Sequence, residues 1–271
     1  MKKLFSFLLI FMMISVFYVV SAENNMQTIS ELLGKFGKLS DGLDRLKCRP
    51  DNGRSILGFY LSSQTRKIPY TFDLGEEYII ILSADDNVEC QIVDSRDGHL
   101  LAEQRGSRVY MKYSPKNIPS TELCVTGSKD GAVALLLVMR RDRYSLPLPF
   151  EDTVSLVREM ADNAVCRNRN LSDKTEYFLM GGTFSSYESD EFAITEGLVS
   201  GLRFVVGHSK TVSEAALELR RGSGVANRVF GHGVQSIDAK TTRQARFSVF
   251  YQNDSPLVFE HGILMLGILE R

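Results

Sequence analysis

Tyr70-Thr-Phe72-Asp-Leu74-Gly75-Glu-Glu-Tyr78-Ile-Ile-Ile-Leu82 changes period midway. Up to Leu74, apolar and polar residues alternate, as in a strand with one buried face. After Gly75 a continuous apolar run of strand length follows. Working outward, Val88 to Val93, Leu123 to Val125 and Ala132 to Met139 are further strand candidates. Asp85-Asp86-Asn87, Asp97-Gly98 and Asp130-Gly131 have the turn chemistry to separate them. The second half has the same texture through Phe204 to Val206, Ala215 to Leu219, Ala245 to Tyr251 and Gly262 to Leu269. Short strands with frequent turns, and no helices between them, predict antiparallel sandwiches rather than a parallel α/β sheet.

Each half opens on a helical pattern. Ile29, Leu32, Phe36, Leu39, Leu43 and Leu46 recur in steps of three and four, although Gly34, Gly37 and Gly42 weaken the helix. Val154, Val157, Met160, Ala161, Ala164 and Val165 make a second stripe after Glu151-Asp152-Thr153, a suitable helix start. The two halves also align. Asp44, Cys48-Arg49 and Asn52 match Asp162, Cys166-Arg167 and Asn170 at a constant offset of 118, and Phe59-Tyr60-Leu61 matches Tyr177-Phe178-Leu179 at the same offset. Phe72-Asp-Leu74 resembles Phe192-Ala-Ile194, Tyr78–Leu82 resembles Leu202–Val206, and the 132–139 run resembles Ile263–Leu269. The shared order reads as a tandem duplication. Leu146-Pro147-Leu148-Pro149-Phe150 suits neither helix nor central strand, because proline has no N–H.

The fold class expected is therefore mainly β: two tandem antiparallel β-sandwich domains of jelly-roll type, each preceded by a helix. The boundaries are 23–143 for the first repeat, 144–150 for the proline linker and 151–271 for the second.

Residues 1–22 have a different character. Met1-Lys2-Lys3 is followed by an apolar stretch from Leu4 to Val20, then by Val20-Ser21-Ala22 before polar Glu23. Charge, apolar run and small-residue exit are the signature of a cleavable signal peptide, with an uncleaved anchor the alternative. The chain is thus expected to be exported, periplasmic or secreted, with no membrane span after cleavage. Loss of Lys2 and Lys3 leaves 30 of the 32 Lys and Arg against 33 Asp and Glu, a formal charge of −3. That balance does not point to nucleic acid.

Cys48, Cys90, Cys124 and Cys166 are even in number and include no CxxC pair, so in an exported chain cross-linking is expected over redox or zinc chemistry. Cys90 and Cys124 fall on two strands of the first half without counterparts in the second, whereas Cys48 and Cys166 are equivalent. Pairing Cys90 with Cys124 leaves Cys48 with Cys166 as a clamp between repeats. The alternative is a Cys48 bridge within the first half, leaving Cys166 with a strand thiol or free.

One family comes into view here. Tyr70-x-Phe72-x-Leu74-Gly75-x-x-Tyr78-x-Ile80-x-Leu82, then Ile92-Val93-Asp94-Ser-Arg-Asp97-Gly98-x-Leu100, Leu123-Cys-Val125 and the 132–138 run resemble the bacterial pre-peptidase C-terminal domain. The resemblance spans residues 70–138 and is weaker in the second half. It implies a small β-sandwich that serves secreted enzymes as a non-catalytic accessory. Thr65-Arg66-Lys67 stands where that family tends to carry acidic residues.

A search for chemistry finds little. His99, His208, His232 and His261 show no metal-ligand spacing, and no serine sits in a nucleophile elbow. Gly181-Gly182 and Arg221-Gly222-Ser223-Gly224 read as turns. Asp94-Ser-Arg-Asp97-Gly98 is best read as a hairpin turn, with weak Ca²⁺ binding the alternative; no other cofactor is expected. Glu76-Glu77 and Asp85-Asp86 are adjacent, so on a strand they face opposite ways and suit acid–base work poorly. No tryptophan is present for a sugar platform, although Tyr110, Tyr113 and Tyr187 are expected in loops. The function expected is non-catalytic binding or assembly at the cell envelope, with a protein or glycan partner held by sandwich loops or sheet edges. The alternatives are a hydrolase built around His208 or His232, or a carbohydrate-binding module.

Overall fold

The computed structural model describes residues 48–51, 55–61, 63–117, 120–129, 133–141, 156, 159, 160, 162, 175–185, 190–194, 201–208, 212–221, 224–239, 245–253 and 260–270. Seven strands belong to the first half: β1 (Cys48–Pro50), β2 (Ile56–Tyr60), β3 (Arg66–Tyr70), β4 (Tyr78–Asp94), β5 (Leu100–Tyr113), β6 (Thr121–Gly127) and β7 (Val133–Arg141). Eight belong to the second: β8 (Thr175–Ser185), β9 (Asp190–Ile194), β10 (Gly201–His208), β11 (Val212–Arg221), β12 (Gly224–Gly231), β13 (Gln235–Ala239), β14 (Ala245–Asn253) and β15 (Glu260–Glu270). Every pairing among them is antiparallel. The mainly β, antiparallel class expected from the sequence is the class observed.

The quoted stretch organises the first half, with two differences. β3 ends at Tyr70, so Phe72 is buried just beyond the strand while Leu74, in the following turn, is 47% exposed. Asp85-Asp86-Asn87 is not a turn. It lies inside the 17-residue strand β4, where the register against β5 breaks between Ser83 and Val88. Asp85 is exposed, and neighbours bind Asp86: Ser128 Oγ donates to Asp86 Oδ2 at 2.7 Å, and Lys129 Nζ lies 3.4 Å from the same oxygen.

Below the break, residues 78–84 of β4 pair with β7; above it, residues 88–94 pair with β6. β4 therefore carries β7 along its first part and β6 along its second. Alternate residues Tyr78, Ile80, Leu82, Val88, Cys90 and Ile92 point into one core with Phe59 of β2, Val109 and Met111 of β5, Leu123 and Val125 of β6, and Leu136 and Val138 of β7. Each such side chain contributes about 1.5–3 kcal/mol by leaving water. Residues 133–139 of β7 are all buried, as in a strand covered on both faces.

The larger sheet crosses the predicted boundary. Its eleven strands run β13-β10-β15-β8-β2-β7-β4-β6-β3, with β1 on β7 and β5 on β4. The halves meet where β2 pairs β8, Ile56 opposite Gly181 and Phe59 opposite Phe178. Outward from that seam the order reads β2, β7, β4 on one side and β8, β15, β10 on the other. These are the segments that match in the sequence alignment. The match of Phe72–Leu74 to Phe192–Ile194 is not reproduced, since the latter lies in β9 of a separate sheet, β12-β11-β14-β9. Strand pairing therefore joins the halves; the expected Cys48–Cys166 clamp involves a residue outside the described ones. The linker 144–150, the stripe from Ile29 to Leu46 and residues 1–22 lie outside the described residues. Of the second stripe's region, Leu156, Glu159, Met160 and Asp162 are α-helical, and Leu156 and Met160 sit over Gly207 of β10.

Of the expected cross-links, the Cys90–Cys124 bridge needs correction. No disulfide joins any two of Cys48, Cys90 and Cys124, and all three are buried. Cys90 lies opposite Val125, and Cys124 lies opposite Gln91, one position along. Paired residues share a face and successive residues alternate, so Cys90 and Cys124 point to opposite sides of the sheet. Cys90 joins the core, where burial pushes its thiol up to about 12. Cys166 lies outside the described residues.

Candidate functional site

The histidines come from different elements. His99 is exposed in the β4–β5 connection, and His208 ends β10 opposite Ile263. His261 lies opposite Phe184 on β15. His232 follows β12 between Gly231 and Gly233, and its Nε2 lies 3.4 Å from Glu214 Oε1 of β11. Among the described residues, no group of three or more His, Cys, Asp or Glu side chains is placed to hold a metal ion.

The Asp94–Gly98 segment is a hairpin turn. Gly98, at φ +73°, donates its N–H to the Asp94 carbonyl at 2.8 Å. Both Asp94 carboxylate oxygens accept from the Arg96 side chain at 2.6–3.2 Å, and those bonds hold the carboxyl down at about 2. Of the expected loop tyrosines, Tyr110 and Tyr113 are strand residues of β5. Tyr110 is 42% exposed; Tyr113 meets the Phe72 ring edge-on at 5.0 Å. Tyr187 lies outside the described residues.

A buried polar cluster at one end of the first half carried no sequence signal, because its members come from distant positions. Tyr70 Oη donates to Asp51 Oδ2 at 2.7 Å, and Arg140 Nη1 lies 3.7 Å from Asp51 Oδ1 and 3.4 Å from Asp73 Oδ2. The Asp73 N–H donates to Tyr78 Oη at 2.8 Å, and burial pushes that phenol up to about 12. Thr121 Oγ1 donates to the Tyr70 carbonyl. Burial raises the Asp51 carboxyl, outweighing the Tyr70 bond and the Arg140 charge that lower it. These groups tie the ends of β1, β3, β4, β6 and β7 together.

Asp51 has a testable sign. A folded-state pKa above the ordinary 3.8 means the native state keeps its proton to higher pH than the unfolded chain. Asp51 therefore withdraws stability as pH rises from that ordinary value through the raised one. Asp51→Asn removes this titration. The melting temperature of the variant minus that of the wild type is expected to increase from pH 4 toward neutrality. A difference constant across that range would contradict the assignment.

The feature that points outward is a sheet edge. Among the described residues, β1, β3, β5, β9, β12 and β13 each pair with a single neighbour. Proteins guard such edges with charge and proline. β1 carries Arg49 and Pro50; β3 carries Arg66, Lys67 and Pro69. β5 carries Glu103, Arg105, Arg108 and Lys112; β9 carries Asp190 and Glu191; β13 carries Asp238. β12, Gly-Val-Ala-Asn-Arg-Val-Phe-Gly, has one charge, Arg228, whose Nε lies 3.3 Å from Glu218 Oε1 of β11. Val225 and Phe230 on this strand are 49% and 57% exposed. Its register against β11 breaks at Ala226, leaving Asn227–Gly231 in regular pairing. The sequence hint was the bracketing of this segment by Gly222-Ser223-Gly224 and Gly231-His232-Gly233, which reads as turns around a short strand. The segment itself does not alternate, so periodicity marks no strand there.

No family model and no curated protein matches the chain. Solved structures that share some of its shape include the PBSX exported protein XepA, at 10% identity over 82% of this chain and 94% of that one, TM-score 0.26. The major capsid protein P2 from bacteriophage PM2 matches at 10% identity over 80% and 97%, TM-score 0.24. The tandem CBM22-1–CBM22-2 domain from Paenibacillus barcinonensis Xyn10C matches at 10% identity over 81% and 85%, TM-score 0.20. Likenesses this slight bear on neither the family nor the function of this chain.

Proposed function

We propose that this chain is an exported, non-catalytic assembly protein that recruits a protein partner by strand addition at β12. The observation that carries the reading is the contrast among the described strands with a single neighbour: of these, β12 alone lacks lysine, proline and acidic residues while exposing Val225 and Phe230. Strand addition takes its affinity from backbone hydrogen bonds along such an edge and its specificity from alternate side chains. Export rests on the pattern of residues 1–22, and the non-catalytic reading agrees with the resemblance of residues 70–138 to an accessory domain. The mirrored strand order around the β2–β8 seam supports descent from a duplicated unit.

Affinity capture from the native envelope fraction tests the proposal. The wild-type chain is expected to recover a stoichiometric protein, and Phe230→Lys to recover at least ~10-fold less, as for loss of a central apolar anchor. Equal recovery by both would remove β12 from the interface.

A further inference from the structure

We infer that β12 pairs with β12 of a second copy of this chain, antiparallel and centred on Val229. The four-stranded sheet would thus continue into an eight-stranded one across a twofold axis. This rests on the edge reading above and names the partner.

Symmetry restricts the choices. A twofold axis relating two antiparallel strands runs perpendicular to the sheet and places one residue opposite its own copy. The regular part of β12 is Asn227–Gly231, because the register breaks at Ala226. Its midpoint is Val229, and centring there uses all five residues. Asn227 then lies opposite Gly231 of the second copy, and Arg228 lies opposite Phe230.

Arg228 and Phe230 are two apart, so they share a face of the sheet. The self-pair sets a guanidinium beside an exposed aromatic ring twice, once on each side of the axis. That is a favourable cross-strand combination, both as a side-chain pair and as a cation beside a π face. Moving the centre to Arg228 would oppose two like charges, and moving it to Asn227 would run the pairing into the Ala226 irregularity. A centre at Phe230 would leave only Val229–Gly231 of the regular stretch paired, so the Val229 register is the one that uses the whole stretch and sets Arg228 against Phe230. A single strand pair buries little area, so a reversible dimer with a Kd on the order of 10 µM is expected.

Sedimentation of the mature chain up to ~100 µM, a range suited to a weak interface, tests this. The wild type is expected to dimerise. Val229→Lys opposes two lysines, and Phe230→Lys opposes lysine to Arg228; both are expected to weaken the dimer at least ~10-fold, as for loss of a central contact. Phe230→Glu opposes carboxylate to Arg228 and is expected to dimerise within ~3-fold of wild type, because opposite charges across a strand pair attract. Phe230 is exposed, so its two variants should keep the fold, and circular dichroism checks them and Val229→Lys, whose site is half-buried. A wild type that stays monomeric overturns the inference. So does equal loss with Phe230→Lys and Phe230→Glu, which would reduce the site to a plain apolar patch. If the wild type is monomeric yet envelope capture still depends on Phe230, the self-pair fails and the edge reading survives.

Discussion

Gly181→Val is expected to lower the melting temperature by ~6–12 °C, the shift that about 3 kcal/mol produces in a chain of this size. Gly181 lies on β8, beside Ile56 of β2 on one side and Leu264 of β15 on the other. A Cβ added there would run into the carbonyl oxygen of Ile263 and come within 3.0 Å of the Leu264 Cα. Both are backbone atoms of a central strand, so relief requires β15 to move away from β8. Gly207→Ala is the control. Its added Cβ would meet Leu156 Cδ1 at 2.6 Å and Met160 Sδ at 2.7 Å, the ends of flexible side chains that can turn aside. A cost below ~1 kcal/mol is expected there. Differential scanning calorimetry of the two variants decides the matter; equal shifts would mean that β8 and β15 are not packed as described.

Phe72→Ala is expected to cost about 3–5 kcal/mol, the range for emptying a buried phenylalanine site. Phe72 is 2% exposed, and its ring lies 4.8 Å from those of Tyr70 and Tyr78 and 5.0 Å from that of Tyr113. Truncation removes all three aromatic contacts and undermines Tyr78, whose hydroxyl accepts the Asp73 N–H. Leu74→Ala, two residues on, is expected to stay within ±0.5 kcal/mol, as exposed substitutions do. Alternation alone assigns Phe72 and Leu74 to the same face, so the pair separates the core seen here from the one the period predicts. Urea denaturation of both variants gives the comparison; similar losses would place Leu74 in the core.

Most of the β architecture was legible because burial writes itself into periodicity. Tyr78–Leu82, Leu123–Val125 and the run in β7 sit where their apolar patterns place them. Asp85-Asp86-Asn87 misled because turn chemistry is local, while Ser128 and Lys129, which hold Asp86 within β4, arrive from the bend after β6. Cys90 and Cys124 misled for a related reason. Their strands could be found from sequence, but the face each thiol takes depends on a register that one residue of slip reverses. β5 and β12 were missed because edge strands bury too little on either face to show a pattern. That is also why the candidate site was the least visible part of the chain: a docking edge is defined by what it lacks, and β12 acquires meaning only beside the guarded edges of β3 and β5.

The β2–β8 seam also bears on biosynthesis. β2 pairs with β7 within the first half, but its other neighbour begins at Thr175, more than a hundred residues downstream. A chain emerging in order completes β1 through β7 well before β8 exists. During that interval Ile56-Leu57-Gly58-Phe59-Tyr60 presents a bare apolar edge with no charged residue. Nascent chains stalled at that point would be prone to aggregate edge to edge, and a holding factor acting during synthesis would bind that strand.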